Sequence, residues 1–564
     1  MIPFGEWRPD VSDYNADYTS VATNVLPRAD GYGPFKDEVA FSSALPAACR
    51  GYYYAKKSDG TIVIFAGTST RLYRMNNTDF SWVPISKVVA LTSISNASPA
   101  VFTLASHGLV ANDALVLSTS SGLPTGLTVG TVYYVISAGL TANAFEVSTT
   151  VGGAAVNTSS AGSGTHSMTN YYSALSLTAQ WQFAQFGNLV FATQANVVLQ
   201  VYDMSTAVAF SDCAGSPPQA AYIAVVGRFL VLSGLLSTPY RIQWSGLNAT
   251  TTWTSGTNQS DYQDLPDGGI VRGVAGGEIG VIFQDGSIRR MAYTPGSPVI
   301  FQIDRIAEDH GIFAPYALIR DGDRVFYPSS EGFYEMFATG TPRPIGKEKI
   351  DRTILEDIDK SNLQLFIGAA DPKASRVYWA YKSISGQAAL FDKLLIYDWG
   401  LQRFSTANII GEYLANLSQP GVTLDALDSV SGSIDALVTP LDDFSSGSLP
   451  ALGIVNSDHK VGFFSGDNLE ATVETPENGT EGQRLRINGF LPITDAGGCY
   501  GAISYRENLQ DTRTWTSEVV INSRGMIPAN RSSRYARARL RIPSATTWTY
   551  AKGVEPVANQ IGKR

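Results

Sequence analysis

The side chains able to do chemistry are few and far apart. Four histidines, His107, His166, His310 and His459, are spread over the chain, and no His-x-x-x-His or His-Cys grouping offers a metal its ligands. The three cysteines, Cys49, Cys213 and Cys499, are odd in number and lack Cys-x-x-Cys spacing, so they read as buried free thiols. No Gly-x-Ser-x-Gly elbow, P-loop or Gly-x-Gly-x-x-Gly follows a strand pattern. Catalytic, metal and cofactor-binding residues are therefore assigned nowhere, and no cofactor is expected.

Two groups of charged residues remain. Asp261, Asp264, Asp267 and Glu278 gather around Leu265-Pro266-Asp267-Gly268-Gly269. Two carboxylates at the right separation suffice for glycoside hydrolysis. Asp and Gly in this pattern equally build turns, and the Ser-x-Asp-x-Gly-x-x-x-Trp box of sialidase-type propellers is missing. The basic residues are unevenly placed: none occurs from Val88 to Gly227, and arginines concentrate late, at Arg524, Arg531, Arg534, Arg537, Arg539 and Arg541. Arg537, Arg539 and Arg541 alternate with Ala538, Leu540 and Ile542, so a strand would place all three guanidiniums on one face. Arg534, Arg537, Arg539 and Arg541 are thus the candidate contacts to an acidic partner ring or to a DNA backbone. The alternative is a solvated face paired with local acids. A formal net charge of −9 argues against a surface that grips nucleic acid all round.

The elements that must carry these residues are strands. At 564 residues the chain exceeds what one core can organise. Charged residues make up only 16%, aromatics 11%, and there are 53 glycines, a balance that suits an all-β protein. No apolar run approaches the roughly 18 residues that span a bilayer. The opening Met1-Ile-Pro-Phe-Gly-Glu-Trp has neither a basic nor an apolar signal region, so a soluble product made in a reducing compartment is expected.

One unit recurs: a Gly or Asp turn, an apolar strand, a second turn, then an aromatic-rich strand. Gly227-Arg-Phe-Leu-Val-Leu-Ser leads to Tyr240-Arg-Ile-Gln-Trp, and Gly280-Val-Ile-Phe-Gln turns at Asp285-Gly286 into Ser287-Ile-Arg-Arg-Met. Asp323-Arg-Val-Phe-Tyr turns at Glu331-Gly332 into Phe333-Tyr-Glu-Met-Phe. Such dipeptides between β-rich runs are strong hairpin signals. Like pairs stand near Thr61, Gly187 and Arg376, with a weaker one at Lys460-Val-Gly-Phe-Phe. Spacings of about 40 to 55 residues predict a β-propeller of about six blades, five to seven being compatible. Its blades would occupy 51–87 and 171–440.

Other segments depart from this repeat. Residues 1–50, broken by five prolines, read as an extended arm that either wraps a neighbour or lies on its own domain. Residues 88–170, with Asp113 and Glu146 the only charged residues, read as an inserted β-sandwich or barrel. Lys347 to Leu363 places Ile350, Ile354, Leu355 and Ile358 at helical spacing, a helix laid against a blade. Asp442-Asp-Phe-Ser-Ser-Gly-Ser-Leu-Pro reads as a connector, and 441–564 as a C-terminal β-sandwich or a closing blade with an addition.

The order of segments resembles the β-propeller tail proteins of short-tailed bacteriophages, called nozzle, tail tubular protein B or packaged-DNA stabilization protein. The likeness runs through Asn24-Val-Leu-Pro, Trp181-Gln-Phe-Ala-Gln-Phe-Gly-Asn-Leu, Gln243-Trp-Ser-Gly-Leu-Asn and the segment from Trp253 to Gly269. It continues in Pro344-Ile-Gly, Lys349-Ile-Asp-Arg-Thr and Leu395-Ile-Tyr-Asp-Trp, and covers most of residues 1–440. It implies a structural virion protein without enzymatic activity, assembled in the bacterial host cytoplasm as a homo-oligomeric, hexameric tail ring. The expected partners are an adaptor ring on the portal side, tail fibres, and viral double-stranded DNA that is retained and then ejected through the lumen. The alternatives are a glycan-binding or glycan-degrading host-recognition protein, and another tail hub or head-completion component.

Overall fold

Seven sets of four antiparallel strands make up most of the computed structural model, which describes residues 1–418, 433, 450–479 and 482–562. Blades 1 to 6 begin with Tyr52–Lys56, Gln182–Phe186, Ala220–Val226, Val271–Ala275, Ile319–Asp321 and Ile367–Asp371. In each of these, sheet order follows chain order. The three strands Tyr413–Leu417, Ala451–Val455 and Val461–Phe463 form blade 7 with a fourth, Val39–Ala40, from the opposite end of the chain. Gly462 pairs with Ala40 there. The weak unit at Lys460 is thus the third strand of a seventh blade. Its partners lie too far off in sequence to show as a repeat.

The blades form an all-β propeller because each buries both faces. Successive residues of a strand point to opposite sides, so neighbours serve different seams. Leu230 and Leu232 pack towards blade 2, where they meet Phe191 and Leu199. Phe229 and Val231 pack towards blade 4, against Ile282 and Met291. Val281 and Phe283 then meet Val325 and Tyr327 of blade 5. A cluster shared with the chain ends joins blades 5 and 6, one cluster spans blades 6, 7 and 1, and another joins 1 to 2. The circle closes. Middle strands buried on both faces read as continuous apolar runs, which is why their hairpins are visible in the sequence.

Trp181 shows what a seam demands. It is fully buried between blades 1 and 2, and its indole N–H donates to the Thr68 carbonyl at 2.8 Å. A Cβ on Gly67 would lie 2.5 Å from the Trp181 ring, so a glycine is required at this close approach. Truncating such a side chain costs about 3–5 kcal/mol.

Residues 88–169 emerge between blades 1 and 2 as a five-stranded and a three-stranded sheet around their own core of Phe102, Leu115, Leu117, Tyr133, Phe145 and Met168. The module leaves and rejoins the propeller at one place, since Val88 pairs with Thr169 and the Asn170 amide donates to Lys87. Arg71 of blade 1 anchors it. Its guanidinium lies 4.0 Å over the Tyr171 ring, 3.9 Å from Asp113, and donates to the Ala114 carbonyl.

The two chain ends fold together. Residues 1–34 supply short strands that interleave with strands from 471 onward, and the region after 440 contains both blade 7 strands and a second, two-sheet unit. One of its sheets joins Ile527–Ser533, Arg484–Thr494, Ala551–Gly562, Gly31–Pro34 and Val25–Arg28. The other continues blade 6: the strand Ala22–Thr23 lies between Arg403–Gly411 and Ala471–Glu474, making an eleven-stranded sheet. Phe490, Ile527 and Val554 of the first sheet pack on Ile503, Leu540 and Ile542 of the second. The arm therefore lies on its own chain. The connector from Asp442 lies outside the described residues.

The expected helix is shorter than its pattern. Helix α1 spans Asp351–Asp357 and is followed by a 3-10 turn, Lys360–Leu365, with Ile350, Ile354 and Ile358 buried against blades 5 and 6. Ile358 is extended and ends the helix.

Candidate functional site

Residues Tyr535–Ile542 form a strand paired with Tyr500–Arg506 and Ala471–Glu474, and its register puts Arg537, Arg539 and Arg541 on one face. What faces them is carboxylate. Arg537 is 4% exposed and donates to Glu474 at 2.9 Å and to Asp13 of the amino-terminal arm. Arg539 donates to Glu474 at 2.8 Å and stacks 3.9 Å from the Trp515 ring centre. Arg541 bonds Glu518 at 2.7 Å and Glu470 at 2.9 Å, and lies over Tyr500. The Glu518 hydrogen bond holds its pKa above the usual arginine value. Arg534 stands apart, half-buried in the bend before this strand.

The expectation of guanidiniums offered jointly to an outside polyanion therefore fails at Arg537. A buried cation keeps its charge only when paired, and here the partners are intramolecular. The same knot holds Glu477, which accepts from Arg506 at 2.8 Å and from Arg513 at 3.3 Å. Burial alone would raise the Glu477 carboxyl, yet the arginine hydrogen bonds outweigh it and hold the group below its usual value. The arginine strand fastens the arm to the second unit.

Two of the carboxylates near residue 265, Asp264 and Asp267, are also paired with arginines. Asp264 accepts two hydrogen bonds from Arg241, at 2.6 and 2.9 Å. Asp267 lies in a 3-10 turn, Pro266–Gly268, where it meets Arg289 at 2.6 Å and Arg305. Gln284 clamps that turn by donating to the Leu265 and Gly269 carbonyls. Glu278 is exposed in the turn after Val271–Ala275, at the opposite end of that five-residue strand. At about 3.3 Å per residue this strand sets Asp264 and Glu278 roughly 16 Å apart along the axis, beyond the ~5–9.5 Å of paired glycosidase carboxyls.

The histidines stay separate, and no group of three metal-binding side chains occurs among the described residues. His459 meets Glu412 at 2.6 Å, and the other Glu412 oxygen accepts from the Cys49 amide at 2.8 Å. Burial raises the Glu412 carboxyl and pushes the Cys49 thiol up to about 12, so this contact at the blade 7 to blade 1 junction is built for cohesion. All three thiols are buried and free.

A cavity of about 410 Å³ lies on the propeller axis, and sequence reasoning missed it. It is lined from the first strand of every blade: Tyr52 to Tyr54, Gln182, Tyr222, Gly273, Ile319, Gly368 and Tyr413 to Asn416 take part. Chain direction sets its polarity. Tyr52 and Tyr413 start their strands, Tyr222 is the third residue of its own, and its ring lies 6.1 Å from that of Tyr316 in the connection before blade 5. Arg320 stands towards the other end, donating to the Ala275, Ile279 and Gly322 carbonyls at 3.3, 2.9 and 2.8 Å. Burial holds the Tyr52, Tyr222, Tyr316 and Tyr413 hydroxyls in their neutral form by raising their pKa values.

No protein family matches the sequence, and a search of curated proteins gives no match. Solved structures that share part of the architecture include the computationally designed Ika8 protein, at 10% identity over 65% of this chain and 88% of that one, with a TM-score of 0.29. Hsv2 of Kluyveromyces lactis matches at 9% identity over 64% and 97%, with a TM-score of 0.26. YCF48 from Cyanidioschyzon merolae matches at 8% identity over 55% and 87%, with a TM-score of 0.25. Likeness at this level decides nothing about function. The propeller assignment rests on the strand pairing and seams of this chain itself.

Proposed function

We propose that this protein is a structural ring component of a short-tailed phage tail, a nozzle whose copies retain packaged DNA and form the conduit for its ejection. The reading draws on the sequence likeness over most of residues 1–440. The observation that carries it is the eleven-stranded sheet, which joins blade 6 to the second unit through Ala22–Thr23. A continuous hydrogen-bonded sheet resists bending between the two parts, as a subunit under the internal pressure of packaged DNA must. A net charge of −9, with Arg537, Arg539 and Arg541 paired to carboxylates, also suits a wall past which DNA slides without sticking.

Imaging of the purified particle by electron microscopy, with native mass measurement, tests this reading. The expected result is a closed ring with six-fold symmetry that joins an adaptor ring and tail fibres. A monomer or trimer that clears polysaccharide would overturn it in favour of host-surface recognition. In that event, clearing retained after Asp264→Asn and Glu278→Gln would remove those two carboxylates from the chemistry.

A further inference from the structure

We infer that the open side of the second unit docks an acidic surface of a second copy of this chain. This deepens the ring reading given above and rests on it, naming the contact between copies. Ile527–Ser533 ends its sheet, with Arg484–Thr494 as its one sheet neighbour. The short strands Thr514–Trp515 and Val519–Val520 end the other sheet on the same side, where Val519–Val520 packs beside Ile527–Ser533. Both sheets therefore present unpaired backbone groups at one side of the sandwich.

Cations surround that edge. Arg524 precedes the edge strand, Arg531 lies in it, Arg534 follows it, and Arg486 stands on the neighbouring strand opposite Ser532. Among the described residues none of these four pairs with a carboxylate, whereas Arg484, Arg537, Arg539 and Arg541 all do. Arg486, Arg524 and Arg531 are exposed, and the Arg531 guanidinium rests 5.7 Å from the centre of the Tyr505 ring. Arginines on an open edge turn away neutral strands and admit an acidic partner.

The chain carries the matching counter-charge. Residues 471–564 hold 13 basic and 8 acidic residues, whereas residues 1–470 hold 28 and 42. The basic edge of one copy thus meets an excess of carboxylates on the next. The two surfaces differ, so the contact is head-to-tail, the kind that closes into a ring when the rotation between copies allows. Val519 and Val520 decide between protein and nucleic acid. Both are exposed beside the arginines. Arginine next to an apolar patch is the make-up of a protein interface, while a phosphate backbone gives valine nothing to pack on.

Sedimentation and native mass measurement of the full-length protein test the inference. The variant is Arg524→Glu with Arg531→Glu, two exposed positions. The control is Lys56→Glu with Lys373→Glu, which adds the same negative charge to exposed propeller positions. We expect wild-type copies to associate in low salt and to separate as salt screens the contact. The arginine variant should associate about a hundredfold more weakly, and Gln at both positions about tenfold, with the lysine control unchanged. An arginine variant that assembles as tightly as wild type would overturn the inference and leave the ring reading standing. Equal weakening in the lysine control would overturn the location, since net charge alone would then explain the loss. Duplex DNA bound by wild type and lost by an arginine variant that still assembles would assign the edge to nucleic acid instead. Assembly broken by the arginine variant but lacking six-fold closure would uphold the inference and overturn the ring. A wild-type monomer in low salt would overturn both.

Discussion

Asp10 caps a helix that begins 341 residues later, at Asp351: one carboxylate oxygen accepts from the Thr353 amide at 2.8 Å and from its hydroxyl at 2.7 Å. The other oxygen accepts from the Arg352 amide at 2.8 Å. Helix α1 supplies no cap of its own, since Ile350 precedes it. A carboxylate here satisfies orphan amides and complements the positive end of the helix. Asp10→Ala should therefore destabilise this junction by about 1–2 kcal/mol. Hydrogen exchange at Arg352 and Thr353 reads the effect directly, and unchanged protection would refute the role.

Asp351 gives the same region a pH dependence. Burial raises its carboxyl to about 6, and nearby Asp10 adds to the effect against the opposing Phe333 amide. A Cβ on Gly332 or Gly346 would fall within about 2 Å of this carboxyl, so there is no room for hydration. The folded state binds the proton more tightly than the unfolded chain, whose value is 3.8. This group thus favours the folded state below about pH 4, and the contribution is lost as pH rises through about 6. Asp351→Asn should flatten stability across that window. Melting curves of both proteins from pH 4 to 7 check the difference.

Arg537 and Arg541 should respond very differently to truncation, although they share a strand face. Arg537→Ala takes the buried Asp13 away from its close cation and leaves Glu474 with Arg539 alone, at a cost of about 3–5 kcal/mol. Arg541→Ala removes partly exposed pairs and should cost at most about 1 kcal/mol. Urea unfolding with a probe on Trp515 or Trp548 gives the comparison, and equal losses would refute the buried-knot account.

Excising residues 88–169 and joining Lys87 to Asn170 through a short glycine turn should leave the propeller folded. The two ends are already hydrogen-bonded, and the module keeps its own core. Arg71 would lose Asp113, so the excised protein also needs Arg71→Met to avoid an unpaired buried charge. Loss of the strand signal in circular dichroism would show that the module is integral to the ring.

Local features of this fold were legible in the sequence, and those made by distant segments were not. Asp285-Gly286 and its flanking apolar runs announce a hairpin because turn chemistry and two-sided burial are both local. The parity of Arg537, Arg539 and Arg541 correctly gives one shared face. Nothing local reveals that the acids opposite are Asp13, Glu470, Glu474 and Glu518, brought in by separate segments. Blade 7 was obscure for the same reason, and so was the axial cavity, which needs between one and four residues from each of seven strands.

The placing of Ala22–Thr23 and Val39–Ala40 has a consequence for how the chain is made. Both strands leave the ribosome first, but their partners at Ala471–Glu474 and Val461–Phe463 emerge more than four hundred residues later. The leading segment can meet helix α1 and Arg403–Gly411 before then, but loop closure over several hundred residues must precede any gain from these pairings. Closure of the disc accordingly waits until Val461–Phe463 has been made, and a product terminated before that strand cannot complete the circle.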